Sequence, residues 1–233
     1  MSTPDNYLEC VQGSELWAKL RCGYITPSRA RDAFDVSQSG KSKGQYKATR
    51  ADYLTELVCE RLTGIPYPHY VSAEMQWGRE HEAEARAAYE LHAAELVDTT
   101  GFVLHPSVSM FGASPDGLVG DDGLIEIKCP ATKTHLETLR SGVIPIEHCF
   151  QLLGELSCTG RQWVDFVSFD PRMPAHLQLF VKRYQRDDKL VAAVEVEVAH
   201  FNREIEEAMQ SLPAAPSPVA ELLDHNDEDE AQF

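Results

Sequence analysis

Three charged residues, Asp116, Glu126 and Lys128, stand where they could act together on a substrate. Glu126 and Lys128 belong to the segment Leu124–Cys129 (LIEIKC), whose alternating apolar residues predict a half-buried strand. Because side chains alternate between the two faces of a strand, Glu126 and Lys128 lie side by side on one face. The turn sequence GDDG at residues 120–123 predicts a hairpin, which places Asp116 on the partner strand. We therefore expect Asp116 to meet Glu126 on the same face of the sheet.

Two carboxylates beside a lysine favour one kind of chemistry, the metal-dependent hydrolysis of a phosphodiester. Mg²⁺ takes one or two carboxylates together with water and phosphate oxygens. The bound ion polarises the phosphoryl oxygen and makes the attacking water more acidic. A neighbouring lysine orients that water, accepts its proton or neutralises charge at the phosphorus. We expect Mg²⁺ as the cofactor, with Mn²⁺ as a substitute. An SPDG turn or an E-x-K pair alone is a common structural feature, but the two together at this spacing favour a nuclease.

A further carboxylate, Glu82, lies on the predicted helix of residues 73–94. Spacings of three and four residues place it on one stripe with four uncharged residues, Met75, Gly78, Ala85 and Tyr89. A carboxylate on a core-facing stripe needs either a cationic partner or a metal ion. The sequence leaves both explanations of Glu82 open. Glu80 and Glu84 lie on other faces of the helix and are expected to be solvated.

The elements around these residues alternate between helix and strand. Helices are predicted over residues 51–63, 73–94, 145–158 and 187–212, and strands over residues 113–119, 124–129, 163–169 and 177–184. This order predicts an α/β fold with a central mixed sheet flanked by helices. The polar segment from Gln38 to Tyr46 predicts a loop. We expect one folded domain over residues 1–212 and an acidic, disordered tail over residues 213–233.

The formal net charge of -16 is unusual for a protein that binds DNA. Taken alone, this acidic balance is better explained by solubility than by function. The charge is uneven, however, because residues 28–50 contain only two acids and a strip of cations, namely Arg29, Arg31, Lys41, Lys43, Lys47 and Arg50. This basic strip could hold a phosphate backbone.

The sequence also indicates where the protein resides. No apolar run approaches the roughly 20 residues that a membrane span needs, and the polar N-terminus lacks the apolar stretch of a secretory signal. We therefore expect a cytoplasmic protein. The six cysteines show no C-x-x-C spacing and fit neither a zinc nor an iron–sulfur framework. We expect free thiols, with Cys129 turned into the core by strand alternation.

Longer strings around the charged residues resemble one family. The string SPDGL from Ser114, followed by LIEIKCP from Leu124, is similar to the phage lambda exonuclease family, also called YqaJ-like viral recombinases. Three further segments agree in order along the chain, WAKLRCGYITPS from Trp17, WGREHE from Trp77 and FDPRM from Phe169. Such ordered agreement is more specific than any single motif.

This resemblance implies a restriction-endonuclease-like core of the PD-(D/E)-x-K type. It implies a 5′-to-3′ exonuclease that acts on the ends of linear double-stranded DNA and leaves a 3′ single strand for recombination by strand annealing. The implied partners are the DNA and a single-strand annealing protein, and the implied assembly is a ring-shaped homotrimer. The implied source is a bacterial host or a prophage.

Two groups of residues match the site residues of the family. The metal-binding and catalytic group consists of Asp116, Glu126, Lys128, Glu82 and the backbone carbonyl of Ile127, which implies two ions per site. The group that holds the 5′-terminal phosphate or the DNA consists of Arg21, Ser28, Gln151 and His148. The chain departs from the family in its negative charge, in its acidic tail and in Pro27 directly before Ser28.

Two other functions stay open. The same core serves other DNA endonucleases, including repair and Cas4-like enzymes, although the cysteines here offer no iron–sulfur cluster for the latter. The other possibility is a non-catalytic protein, either an acidic DNA mimic or an inactive end-binding subunit. The intact set of Asp116, Glu126 and Lys128 argues against an inactive remnant. The clustering of six acids after Leu212 argues against a mimic.

Overall fold

The computed structural model describes residues 6–37, 39–68 and 70–213. Within these residues the strands are β1 (Tyr7–Leu8), β2 (Val97–Asp98), β3 (Phe102–Leu104), β4 (Gly112–Ala113), β5 (Gly117–Val119), β6 (Gly123–Lys128), β7 (Trp163–Phe169) and β8 (Leu179–Gln185). Five of them form a mixed sheet in the order β2–β5–β6–β7–β8, in which only β6 and β7 run parallel. This sheet confirms the predicted fold class, and the β5–β6 pairing confirms the predicted hairpin.

The segment predicted as one strand over residues 113–119 is divided between two sheets. β4 joins β1 and β3 in a three-stranded sheet, whereas β5 belongs to the mixed sheet. The break falls at Ser114 and Pro115, because proline lacks the N–H that a strand ladder needs. Side chains fill the gap: Trp17 Nε1 donates to Ser114 Oγ over 2.9 Å, and Gln12 Nε2 donates to the Pro115 carbonyl over 2.8 Å. The prediction of a single strand was wrong.

The α-helices of the described residues are α1 (Glu15–Arg21), α2 (Ala30–Phe34), α3 (Thr49–Thr63), α4 (Ala73–Ala93), α5 (Thr132–Ser141), α6 (Cys149–Thr159) and α7 (Asp188–Gln210). The four predicted helices correspond to α3, α4, α6 and α7. Two predicted elements began too early, because a 3₁₀ turn at Ile146–His148 precedes α6 and another at Ala175–Leu177 precedes β8. The shorter helices α1, α2 and α5 were not predicted.

β6 lies between two helical layers. On one side, Ile125, Ile127 and Cys129 join a buried cluster with Ala85 and Tyr89 of α4. The other side faces α6, in a buried cluster made of Leu124, Leu152, Leu156, Val164 and Phe166. The predicted alternation of β6 is therefore confirmed, and it sends Glu126 and Lys128 to the α6 side of the sheet.

The remaining predictions concern membrane spans, the loop that begins at Gln38 and the acidic tail. No helix within the described residues is long and apolar enough to span a membrane. Gln38, at the start of the predicted loop, lies outside the described residues, and residues 39–46 contain no helix and only one isolated bridge, between Val36 and Tyr46. The predicted acidic tail lies outside the described residues from position 214 onward.

Candidate active site

Asp116 stands directly before β5, next to Glu126 in the antiparallel register that pairs Gly117 with Ile125. The Ile127 N–H donates a hydrogen bond to Asp116 Oδ2 over 2.7 Å. Burial raises the pKa of Asp116 well above its usual value, and the negative charge of Glu126 adds to the rise. The structure thus brings the two carboxylates together, in a mutual repulsion that a bound cation would relieve.

Lys128 is the direct partner of Glu126, with its Nζ 2.6 Å from Glu126 Oε1. This is not an ion pair on an open surface, because Glu126 is only 2% exposed. Burial opposes the charge on Lys128, but the carboxylates of Glu126 and Asp116 outweigh burial and raise the pKa of the lysine. Lys128 is therefore held as a cation beside the two carboxylates.

α6 presents an amide and a further carboxylate to this strand. Gln151 Nε2 donates to Glu126 Oε1 over 2.5 Å and to Glu155 Oε1 over 3.0 Å. Glu155 is 1% exposed, and burial together with the charge of Glu126 raises its pKa well above the usual value. The predicted site did not include Glu155. The available signal was its spacing of four residues from Gln151 on a predicted helix.

His148 stands at the start of α6 and lines the same cleft as these residues. Its ring stacks on that of Phe166, with 5.1 Å between the centroids. Burial and the nearby charge of Lys128 lower the pKa of His148, which favours the neutral imidazole. His148 therefore contributes an uncharged aromatic wall to the cleft.

Glu82 reaches the cleft from α4, where it is paired with an arginine. Arg86 Nη2 lies 2.7 Å from Glu82 Oε1 and also donates to the Asp116 carbonyl oxygen over 3.1 Å. Burial raises the pKa of Glu82, and the charge of Arg86 opposes that rise. The cationic partner that the sequence left open is therefore Arg86, although Glu82 also faces the cleft.

The predicted core stripe of α4 was only half right. Ala85 and Tyr89 are buried, whereas Met75 is 48% exposed and lines the cleft. The N-terminal half of the helix borders the cleft and not the sheet, which explains why a charged residue is tolerated on this stripe. Glu80 and Glu84 are exposed, as predicted.

The oxygen atoms of this site suit a hard divalent cation. Glu126 Oε2 and Glu155 Oε2 are buried and have no hydrogen-bond partner within the part of the chain that the structure describes. Among the described residues, no three His, Cys, Asp or Glu side chains are arranged to enclose a metal ion. Mg²⁺ does not need such a cage, because it takes one or two carboxylates and completes its octahedron with water and phosphate oxygens. Asp116 and Glu126 meet that requirement, and Ile127, whose N–H donates to Asp116, lines the same cleft.

Arg21 and Ser28 come together at the cleft, as the resemblance implied. Arg21 Nη2 donates to Ser28 Oγ over 3.3 Å and to Thr26 Oγ1 over 3.4 Å, and its guanidinium lies 4.0 Å from the centre of the Trp17 ring. Burial lowers the pKa of Arg21 to about 10, which still leaves it charged at neutral pH. Within the described residues, its side-chain hydrogen-bond partners are hydroxyl groups.

The basic strip of residues 28–50 is largely neutralised within the fold. Four of its six cations form ion pairs, which are Arg29 with Asp32 and Glu56, Arg31 and Lys47 with Asp35, and Arg50 with Glu204. Arg50 is buried, with 6% of its surface exposed. Binding of a phosphate backbone by this strip stays a prediction, and Arg31 is the member of the strip that lines the cleft.

One cleft of about 590 Å³ gathers every site residue that the sequence suggested. It is lined by Arg21, Ser28, Glu82, Asp116, Glu126, Ile127, Lys128, His148 and Gln151. A mixed sheet that presents paired carboxylates and a half-buried lysine in such a cleft fits the class of phosphodiester-cleaving nucleases.

Comparison with known proteins identifies the family. The model of the YqaJ-like viral recombinase domain matches residues 16–162, which is more than half of the chain. The chain is 42% identical to an alkaline exonuclease (LHK-Exo) from Laribacter hongkongensis, over 94% of this chain and 100% of that one, with a TM-score of 0.76. The chain therefore belongs to the YqaJ-like viral recombinase family and is a nuclease.

Two further solved structures are similar to the chain. A structure of LHK-Exo in complex with dAMP is 41% identical, with the same coverage of 94% and 100% and a TM-score of 0.76. A phage-related exonuclease from Haemophilus somnus 129PT is 14% identical, over 82% of this chain and 96% of that one, and its TM-score of 0.59 shows a shared fold. None of the curated proteins compared with the chain matches it.

Cys129, next in sequence to Lys128, is expected to serve stability and not catalysis. It is buried among apolar side chains, and burial raises the pKa of its thiol to about 12, so little thiolate forms near neutral pH. Cys129→Ser should lower the free energy of unfolding by about 1–3 kcal/mol, because a hydroxyl would enter an apolar cluster. The measurements are denaturant unfolding and the DNA digestion rate, with Cys129→Ala as the control that adds no hydroxyl. Lost activity at unchanged stability would contradict this assignment.

Proposed function

We propose that the chain is a Mg²⁺-dependent 5′-to-3′ deoxyribonuclease. It degrades one strand of linear double-stranded DNA from its ends and leaves a 3′ single strand for recombination by strand annealing. The observation that carries the proposal is the convergence of Asp116, Glu126 and Lys128 in one cleft. Membership of a family with a solved alkaline exonuclease supports it. The complex of that relative with dAMP supports a nucleotide as a ligand of the cleft.

Each charged group has a proposed role in the reaction. Asp116, Glu126 and the Ile127 carbonyl would hold the cation, and Glu82, which lines the same cleft beside Arg86, would stand near a second ion. When bound, Mg²⁺, or Mn²⁺ in its place, supplies Lewis-acid activation of the phosphoryl oxygen and a more acidic water. Lys128 orients the attacking water and neutralises the charge that develops on the phosphoryl oxygens. Its ion pair with Glu126 favours these roles over proton acceptance.

The proposed partners follow from the family and from the cleft. Arg21 and Ser28 hold the 5′-terminal phosphate of a linear duplex, and Gln151 and His148 line the path of the strand. A single-strand annealing protein receives the exposed 3′ strand. We propose a ring-shaped homotrimer as the active assembly and a phage or prophage as the source of the chain.

The test uses linear and covalently closed circular duplex DNA, each incubated with Mg²⁺ or with EDTA. We expect digestion of the linear duplex alone, only with Mg²⁺, and early release of a 5′-terminal label as a mononucleotide. Cleavage of the circle would favour an endonuclease on the same core. Binding of DNA ends without digestion would favour the non-catalytic alternative.

A further inference from the structure

We propose that Glu155 is a positioning residue of the metal site and acts through Gln151 on the carboxylate of Glu126. The inference rests on the proposed Mg²⁺-dependent function, and it concerns a residue that the resemblance did not assign. Its starting point is a contrast among the buried carboxylates in the described part of the chain.

Glu155 lacks the partners that a buried carboxylate normally has. Asp165, for comparison, accepts two hydrogen bonds from Arg183, both over 2.8 Å. Glu155 Oε1 accepts a hydrogen bond from the Gln151 amide, and Glu155 also lies against the carboxyl group of Glu126. Its Oε2 is buried and has no hydrogen-bond donor among the described residues. Glu126 Oε2 is likewise buried without a hydrogen-bond donor among the described residues. An uncompensated buried carboxylate strongly destabilises a fold. Glu126 has Lys128 beside its Oε1, so what it shares with Glu155 is one buried oxygen without a donor. Two such oxygens lining one cleft indicate that a further cation completes the group.

The Gln151 amide connects the two acids. Its Nε2 lies 2.5 Å from Glu126 Oε1 and 3.0 Å from Glu155 Oε1, so Glu155 fixes the orientation of the amide. Lys128 Nζ contacts the same Glu126 Oε1, at 2.6 Å. Both donors thus hold one oxygen of Glu126 and leave Oε2 free to face a cation. Deprotonated beside a bound cation, Glu155 would add a second negative charge behind this ligand and strengthen the attraction for a divalent ion.

Glu155→Gln tests this role because it removes the charge and keeps the size of the side chain. Calorimetric titration of the full chain with Mg²⁺ alone, without DNA, should show an affinity weaker by about 10- to 100-fold. At limiting Mg²⁺ the rate of DNA digestion by Glu155→Gln should fall together with its Mg²⁺ affinity, and saturating Mg²⁺ should restore the rate. Asp165→Asn is the matched control, because it neutralises a buried carboxylate outside the cleft and should leave Mg²⁺ affinity unchanged.

Thermal unfolding without metal separates positioning from a structural role. Glu155→Gln should unfold at the wild-type temperature or above it, because an unpartnered charge is removed. Asp165→Asn should unfold at a lower temperature, because Arg183 loses its partner. Unchanged Mg²⁺ affinity in Glu155→Gln, or a metal-free variant less stable than the wild type, would overturn the inference. If Asp116→Asn binds Mg²⁺ and digests DNA normally, the proposed function itself fails instead.

Discussion

Asp116→Asn should digest linear duplex DNA about a thousandfold more slowly than the wild-type chain. The substitution keeps the shape of the side chain and removes one of the two carboxylates that face the proposed Mg²⁺. A metal ion supplies several kcal/mol of charge stabilisation in the transition state, and about 1.4 kcal/mol corresponds to a tenfold change in rate. An amide oxygen can still accept the hydrogen bond from the Ile127 N–H, so the fold should persist.

The initial rate on a linear duplex at saturating Mg²⁺ measures this effect, and thermal unfolding without metal checks the fold. Because repulsion from Glu126 is relieved, the unfolding temperature should equal or exceed that of the wild type. Asp98→Asn is the matched control, since Asp98 is an exposed acid on the neighbouring strand β2 and should leave the rate unchanged. A normal rate for Asp116→Asn would remove the cleft from consideration as the active site.

Lys128→Ala is a second variant of the site, and we expect it to be less stable than Asp116→Asn in the absence of metal. It should be comparably inactive but still bind Mg²⁺, because the carboxylates remain. Removing the lysine leaves Glu126 buried without its cation, which should lower the free energy of unfolding by about 3–5 kcal/mol. Mg²⁺ should therefore raise the unfolding temperature of Lys128→Ala more than that of the wild type. An equal rise in both proteins would argue against Glu126 as a metal ligand.

The part of the site on the β5–β6 hairpin could be predicted because its geometry is local. Strand alternation alone fixes the side of β6 to which Glu126 and Lys128 belong, and a short turn fixes the neighbouring strand. The same local rule failed one step earlier in the chain. Because Pro115 has no N–H for a strand ladder, residues 112–119 pass from one sheet to the other. The side chains that hydrogen-bond to residues 114 and 115 are Gln12 and Trp17, which lie about a hundred residues earlier in the sequence.

Charge was the feature that local patterns predicted least well. Arg50 was assigned to a DNA-binding strip, yet its partner Glu204 is 154 residues away and its side chain is buried. Glu82 forms an ion pair with Arg86, one turn later on α4. The sequence spacing permitted this pair but did not require it. Glu155 shares a helix stripe with Gln151 and His148 but was not assigned to the site, because only the packing of α6 against β6 shows that it is buried beside Glu126.

Short helices were missed for a related reason. α2 spans only five residues and α1 only seven, which is too little chain for a 3.6-residue period to emerge. Isolated helices of that length are unstable, so tertiary packing determines them. α1 nevertheless carries Arg21 to the cleft, and the assignment of this arginine came from resemblance and not from periodicity.

Digestion by the wild-type chain should begin about tenfold faster, or more, on a 5′-phosphorylated blunt duplex than on a 5′-hydroxyl duplex. Arg21 is held by the hydroxyls of Ser28 and Thr26 and by the Trp17 ring, none of which neutralises its charge. A terminal phosphate carries more charge than an internal diester and offers acceptors that match a guanidinium. Hydrogen bonds to charged groups contribute about 1.5–3 kcal/mol, which corresponds to about 10- to 100-fold in rate.

Arg21→Ala should erase most of this preference and leave Mg²⁺ affinity unchanged. Arg21→Lys should keep part of it, because the charge persists without the paired donors. Lys19→Ala, which removes an exposed cation from the same helix, should keep all of it. If Arg21 served only to pack against Trp17, its loss would lower the stability of the protein and slow the digestion of both duplexes equally. A wild-type chain that shows no preference, or an Arg21→Ala variant that retains it, would disprove the phosphate pocket while leaving the nuclease centre at Asp116 intact.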